Sequence, residues 1–114
     1  MSQLEDSIYE MLKKAFPNFK IDRQFYINIS GHKLFFDFYL PNWNLLIEVQ
    51  GQQHYNYSSF FHSHEQNFYR SKYRDSLKKE WAKDNGYIFI EINRINFPMN
   101  YTDLIDLIYK EVIK

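Results

Sequence analysis

The feature that most constrains this chain is a four-residue turn between two apolar segments. The turn, Pro-Asn-Trp-Asn at residues 41–44, is flanked on both sides by the apolar and aromatic residues typical of strands. We therefore predict an antiparallel hairpin in which Leu40 faces Leu45. The same register places Asp37 directly opposite Glu48, with their Cβ atoms about 4.5–5.5 Å apart.

The facing carboxylates of Asp37 and Glu48 need a partner, because like charges that oppose each other destabilise a sheet. Their neighbours along both strands are apolar, so little water is expected around them. Such a pair binds a proton or a cation, and Mg²⁺ is typically held by one or two carboxylates. Since side chains alternate along a strand, Gln50 is expected on the same face as Glu48. The alternative is that one acid faces solvent at a sheet edge or pairs with a lysine or arginine.

Periodicity and turn residues divide the whole chain into helices and strands. The predicted elements are a helix over residues 3–16, strands over 19–30, 32–40 and 45–50, a loop over 51–64, a helix over 65–85, a strand over 87–92 and a helix from 100 or 102 to 112. This order predicts an α/β fold, in which helices flank a mixed, mostly antiparallel central sheet and a further helix follows at the C-terminus.

Length and composition limit the possible classes of function. A chain of 114 residues with 45% hydrophobic residues is expected to form one domain over residues 1–114. The absence of cysteine excludes disulfide scaffolds, thiolate zinc sites and cysteine nucleophiles. Fourteen basic residues balance fourteen acidic ones, so an anionic partner must be attracted by a local patch or a bound metal. No apolar run approaches the ~18–20 residues of a membrane span and no signal peptide is visible, so we expect a cytoplasmic protein with no membrane partner.

Three short motifs resemble one nuclease superfamily. Asp37, ten residues, then Glu48-Val-Gln50 resembles the PD-(D/E)XK nucleases, with Gln50 in the usual lysine position. Gly-x-x-His-Tyr at residues 51–55 and Asp-x-x-Lys at residues 75–78 are similar to one branch of that superfamily. This branch contains the very-short-patch-repair endonucleases and the phage homing endonucleases that share an EDxHD site. The αβββαβ order is also the restriction-endonuclease-like core of the superfamily, so the resemblance covers most of the chain.

The resemblance implies a metal-dependent endonuclease that hydrolyses phosphodiester bonds in DNA. It implies Asp37 and Glu48 as ligands of Mg²⁺, with Mn²⁺ able to substitute, and no small organic cofactor. Gln50 departs from the family pattern, because a neutral amide carries no positive charge and takes no proton. We expect Gln50 to position water or substrate and His54 to move the proton, since the pKa of histidine lies near neutrality.

Glu5 and Asp75 are the outer carboxylates that the resemblance implies for the same site. Asp75 is expected to orient His54 through a hydrogen bond. Each acid also has an alternative interpretation. Ser-x-x-Glu at residues 2–5 has the form of a helix capping box, and Asp75 lies three residues before Lys78, a spacing typical of surface ion pairs.

A basic stripe on the long predicted helix is the expected contact with DNA. Arg70, Arg74 and Lys78 recur every four residues and would hold the phosphate backbone. The alternative is a charged helix face that only meets solvent. Because no separate module for sequence readout is visible, either the specificity is low or a dimer or partner protein provides it. Cutting both strands with one small site favours a homodimer.

The sequence thus predicts a Mg²⁺-dependent endodeoxyribonuclease of phage homing or repair type, acting in a bacterial or phage-infected cytoplasm. One alternative is a catalytically inactive nuclease-fold module that binds nucleic acid or another protein, and the missing lysine favours it. Another is a nuclease that acts on branched or mismatched DNA.

Overall fold

The computed structural model describes residues 3–50 and 57–114, with the backbone alone at residues 57–68 and at residue 71. Its elements are α1 (Gln3–Ala15), β1 (Asp22–Ile29), β2 (His32–Leu40), a short 3₁₀ helix (Pro41–Trp43), β3 (Leu45–Val49), α2 (Tyr57–Asp84), β4 (Ile88–Ile92) and α3 (Tyr101–Val112). The predicted order of helices and strands is therefore confirmed. None of the helices within the described residues is long and apolar enough to cross a membrane.

One sheet with the strand order β1-β2-β3-β4 runs through the described part of the chain. β1 pairs with β2 and β2 with β3 in antiparallel orientation, whereas β4 lies parallel to β3. The predicted hairpin register is confirmed, because Leu40 pairs with Leu45 and Phe38 pairs with Ile47. The fold is therefore the predicted mixed α/β arrangement, with helices against the sheet and a helix at the C-terminus.

Two hydrophobic cores lie on opposite faces of this sheet. The first joins α1 and α3 to the sheet and includes the fully buried residues Ile8, Leu12, Phe38, Ile47, Leu104 and Ile108. The second joins α2 to the β1–β2 hairpin and consists of Ile27, Leu34, Phe36, Leu46 and Ala82. Since both faces of the central strands are covered, a functional site has room chiefly at the ends of these strands.

β2 changes the face that it buries at Asp37. Side chains two residues apart on a strand normally share a face, yet Phe36 packs in the second core and Phe38 in the first. The β1–β2 register places Gln24 opposite Asp37, and the regular pairing is interrupted at this position. Gln24 has a φ of 56°, in the left-handed region that non-glycine residues rarely adopt. The backbone is thus distorted on both strands at the point where Asp37 lies.

The main difference from the predicted elements is the start of the long helix. α2 begins at Tyr57, so the prediction of a loop is wrong for residues 57–64. Residues 57–84 contain neither glycine nor proline, so no residue of this segment breaks the helical hydrogen bonds. The other predicted boundaries lie within three residues of the observed ones.

Candidate active site

Asp37 and Glu48 face each other where the β2–β3 ladder ends. The last regular pair of this ladder is Phe38 with Ile47, and the two acids occupy the next position. The backbone N–H of Asp37 donates to Glu48 Oε1 at 3.2 Å, and the backbone N–H of Val49 donates to Asp37 Oδ2 at 2.7 Å. Each carboxylate thus accepts a hydrogen bond from the opposite strand, which holds both acids at one end of the hairpin.

Glu48 is buried, with only 8% of its surface exposed. Burial first, and the negative charge of Asp37 second, raise the pKa of Glu48 to about 8 from an ordinary value of 4.5. The ammonium of Lys78 lowers this pKa, because it forms an ion pair and a hydrogen bond with the Glu48 carboxylate. An added cation would favour the ionised form of Glu48 further.

Lys78 reaches this site from α2. Its Nζ contacts Glu48 Oε2 and lies 5.4 Å from the centre of the Phe36 ring, and 13% of its side chain is exposed. The four-residue stripe predicts that Lys78 joins Arg70 and Arg74 on a phosphate-binding helix face. The structure places the Lys78 ammonium against Glu48, in the cleft that Arg74 also lines.

Gln50 lines the same cleft as Glu48, in agreement with the strand alternation, and is 7% exposed. Its backbone N–H donates to the Ile92 carbonyl at 2.8 Å, which continues the parallel pairing of β3 with β4. Its side-chain Nε2 donates to Glu91 Oε2 at 3.3 Å. The amide oxygen of Gln50, an acceptor, is the atom chemically suited to a cation or a water molecule.

Hydrogen bonds link Asp37 to Glu5 of α1. The Nε2 of Gln24 donates to Asp37 Oδ1 at 3.3 Å and to Glu5 Oε2 at 3.2 Å. Glu5 is 7% exposed, and the same Oε2 accepts a hydrogen bond from Arg23 at 2.8 Å. Glu5 therefore belongs to the network around Asp37 through Gln24. Ser2, its partner in the capping interpretation, lies outside the described residues.

An open cleft of about 370 Å³ leads to the acids. Its polar lining consists of Gln24, Lys33, Asp37, Glu48, Gln50, Arg74, Asp75 and Lys78. Six of the predicted site residues thus line one cleft. Glu5 is connected to it through Gln24, and Arg70 is exposed on α2, one turn before Arg74. His54 lies outside the described residues.

The sequence analysis misses Gln24 of β1 and two cleft residues of β2, Lys33 and Phe35. Lys33 and Phe35 are both exposed. They precede Asp37 by four and two residues on the same strand, and this nearness in sequence is the signal that could have identified them.

The donor atoms at this position fit a hard divalent cation. Asp37 and Glu48 supply carboxylate oxygens and Gln50 supplies an amide oxygen, which are ligand types found around Mg²⁺ and Ca²⁺. Among the side chains that the structure describes, no group of three or more His, Cys, Asp or Glu residues is arranged for a metal. Mg²⁺ is typically held by one or two carboxylates while it keeps several of its water molecules, and Asp37 and Glu48 supply two.

Comparisons with known proteins identify relatives in two viruses. The uncharacterized protein 033L of Invertebrate iridescent virus 3 is 36% identical over 64 residues, which cover 56% of this chain and 33% of that protein. The uncharacterized protein 307L of Invertebrate iridescent virus 6 is 29% identical over 103 residues, which cover 90% of this chain and 50% of that protein. The matched regions thus span a third of the first viral relative and half of the second. No family model and no solved structure matches the chain.

Proposed function

We propose that this protein is a metal-dependent DNA endonuclease that hydrolyses phosphodiester bonds. The observation that carries the proposal is the pair of facing acids, Asp37 and Glu48, in an open cleft that Lys33 and Arg74 also line. Acids attract a cation and basic residues attract phosphate, and metal-assisted phosphodiester hydrolysis needs both at one point. The order of elements and the motifs that resemble PD-(D/E)XK nucleases support the same reaction.

Asp37 and Glu48 are the proposed ligands of Mg²⁺, with Mn²⁺ as a substitute. When bound, the cation supplies positive charge to the phosphate oxygens and makes nearby water more acidic. Burial and the charge of Asp37 raise the pKa of Glu48, and a bound cation would favour its ionised carboxylate, as Lys78 does. Asp37 is kept in place by the Val49 N–H and by the Gln24 amide.

PD-(D/E)XK nucleases usually have a lysine at the position of Gln50, and we assign the role of that lysine to Lys78. Its ammonium already lies against Glu48, so the cleft contains a positive charge although β3 supplies none at position 50. An ammonium has three donors, and from this position Lys78 would hold a phosphate oxygen or the attacking water. Gln50 would accept a hydrogen bond from that water through its amide oxygen.

The remaining residues bind or orient in this proposal. Arg74 would hold the DNA backbone at the cleft, and Arg70 would extend the contact by one helical turn. Glu5 acts as a positioning residue for Asp37. Asp75 lines the cleft, and its proposed role is to orient His54. The acid–base role of His54 stays a prediction, as does the biological setting in phage homing or repair.

Plasmid cleavage tests this proposal. Supercoiled plasmid incubated with Mg²⁺ or Mn²⁺ should be nicked or linearised, and EDTA should prevent the reaction. Asp37→Asn and Glu48→Gln should each lower the rate by at least about a hundredfold. Asp106→Asn changes an exposed acid of α3 in the same way and should cleave like the wild type. Full cleavage by the Asp37 and Glu48 variants would contradict the mechanism.

The second candidate is an inactive module that binds nucleic acid, which the neutral Gln50 favours. Manganese binding distinguishes the two functions. A module without catalysis has no need of the acid pair for a metal, whereas a nuclease should bind Mn²⁺ and lose that binding in Asp37→Asn.

The proposed homodimer is tested by light scattering of the active protein. A molar mass of 14.1 kDa for protein that cleaves DNA would contradict it.

A further inference from the structure

The β1–β2 hairpin exposes an aromatic pair on one of its faces. Tyr26 and Phe35 are cross-strand partners with ring centroids 5.4 Å apart, and they are 46% and 45% exposed. Asn28 pairs with Lys33 two positions further along the same strands, so these two side chains lie on the same face. We name these four residues the hairpin face. The opposite side of the hairpin packs in the second core, while this face meets solvent.

The hairpin face is continuous with the acid pair. Two positions before Asp37 on β2 lies Phe35, and both line the cleft together with Lys33. Strand geometry places residues two apart at about 6.6 Å along the strand. A phosphate held in this cleft by its basic residues, beside the acid pair, would therefore have its neighbouring nucleotide within reach of the Phe35 ring.

We propose that the hairpin face binds unpaired bases, so that the preferred substrate is single-stranded DNA or a single-stranded segment of branched DNA. This inference rests on the proposed nuclease function and names its substrate class. Exposed aromatic rings stack on bases that have left the double helix, whereas duplex bases offer only their edges. Lys33 and Arg74 line the same cleft and supply positive charge for the phosphates of a bound strand.

The net charge of the chain is zero, so charge alone is expected to attract DNA only weakly, and base stacking is the more important contribution. Basic and acidic residues are equal in number, so long-range attraction of duplex DNA is small. Stacking of a base on an aromatic side chain contributes about 1–3 kcal/mol and does not depend on net charge. The contact is therefore expected to discriminate single strands from duplexes of the same length.

Fluorescence anisotropy with the full chain in EDTA measures this preference without cleavage. The probes are a labelled 15-nucleotide oligo-dT and a labelled blunt duplex of 15 base pairs. We expect tighter binding of oligo-dT, and Phe35→Ala should weaken it about tenfold while leaving duplex binding unchanged. Phe35→Tyr, which keeps the ring, should bind like the wild type. Tyr109→Ala is the matched control, because Tyr109 is also 45% exposed but lies on α3.

Three results would overturn the inference. These are equal affinity for the two probes, equal losses in Phe35→Ala and Tyr109→Ala, and binding by Phe35→Leu that equals binding by Phe35→Tyr. The comparison of leucine with tyrosine decides the question even if Phe35→Ala does not fold.

The outcome is separate from that of the plasmid assay. A protein that binds oligo-dT through Phe35 but never cleaves DNA would lose the proposed function and keep a single-strand binding surface. A protein that cleaves plasmid with no effect of Phe35 on either probe would keep the nuclease function and lose this substrate class.

Discussion

Replacement of Glu48 by glutamine should change how the stability of the fold depends on pH. Glu48 has a pKa of about 8 in the folded chain and about 4.5 in the unfolded chain. Below the lower value the carboxyl is protonated in both states, and its burial has no ionic cost. As pH rises towards 8, the unfolded state ionises more readily, so the free energy of unfolding falls.

The magnitude follows from the interval between the two pKa values. That interval corresponds to roughly 5 kcal/mol, the upper limit of the stability lost between about pH 4.5 and pH 9. A small domain is stable by only about 5–15 kcal/mol, so the effect should be easy to measure. Glu48→Gln keeps an oxygen that can accept the Asp37 N–H and removes the titration.

Urea unfolding followed by tryptophan fluorescence, in EDTA and from about pH 5 to pH 9, is the appropriate assay. The wild type and Glu48→Gln should have similar free energies of unfolding at pH 5. The variant should be the more stable protein at pH 9, by a few kcal/mol. Asp106→Asn serves as the control for removal of an exposed charge. The reasoning would be refuted if the difference in free energy of unfolding between the wild type and Glu48→Gln were the same at every pH in this range.

Three further variants test single contacts. Lys78→Met removes the charge beside Glu48, so plasmid cleavage near pH 8 should fall at least about tenfold; an unchanged rate would exclude Lys78 from the site. Gln24→Gly relieves a left-handed φ that costs about 1–2 kcal/mol but removes the amide between Glu5 and Asp37. The urea midpoint of Gln24→Gly should equal that of the wild type, while its rate of plasmid cleavage should fall. A fall in the urea midpoint that matches the fall in cleavage would contradict a positioning role. Asn100→Ala removes the side-chain acceptor for the Asp103 N–H at the start of α3, and urea unfolding should show a loss of about 1 kcal/mol; no loss would show that the cap is dispensable.

The central hairpin could be predicted from sequence because a four-residue turn sets its register. Once Leu40 faces Leu45, the opposition of Asp37 and Glu48 follows from counting residues. This argument uses only local contacts, which is why it also holds for the position of Gln50 one pleat further along the strand.

The change of face at Asp37 could not be predicted in this way. Leu34, Phe36, Phe38 and Leu40 are all buried and all apolar, so their spacing indicates a single continuous face. Because the sheet has a core on each side, apolar residues are acceptable on both faces, and the pattern contains no sign of the switch.

The place of Lys78 depends on the rotation of α2 about its axis. The sequence shows Tyr69, Tyr73, Leu77 and Trp81 in one stripe, yet both tyrosines are more than half exposed. Only Leu77 and Trp81 pack against the second core, and the lysine next to them is brought to Glu48. That rotation is set by contacts between distant segments, which a helical period does not encode.

The parallel pairing of β3 with β4 also bears on how the chain matures during synthesis. β4 follows β3 only after the whole of α2, so a growing chain carries β3 with one bare edge until residues 88–92 have left the ribosome. That edge belongs to the apolar run Leu45-Leu46-Ile47, and an unpaired apolar edge readily joins strands of other chains. A chain that ends before β4 would therefore be expected to aggregate through the free edge of β3, the strand that carries Glu48.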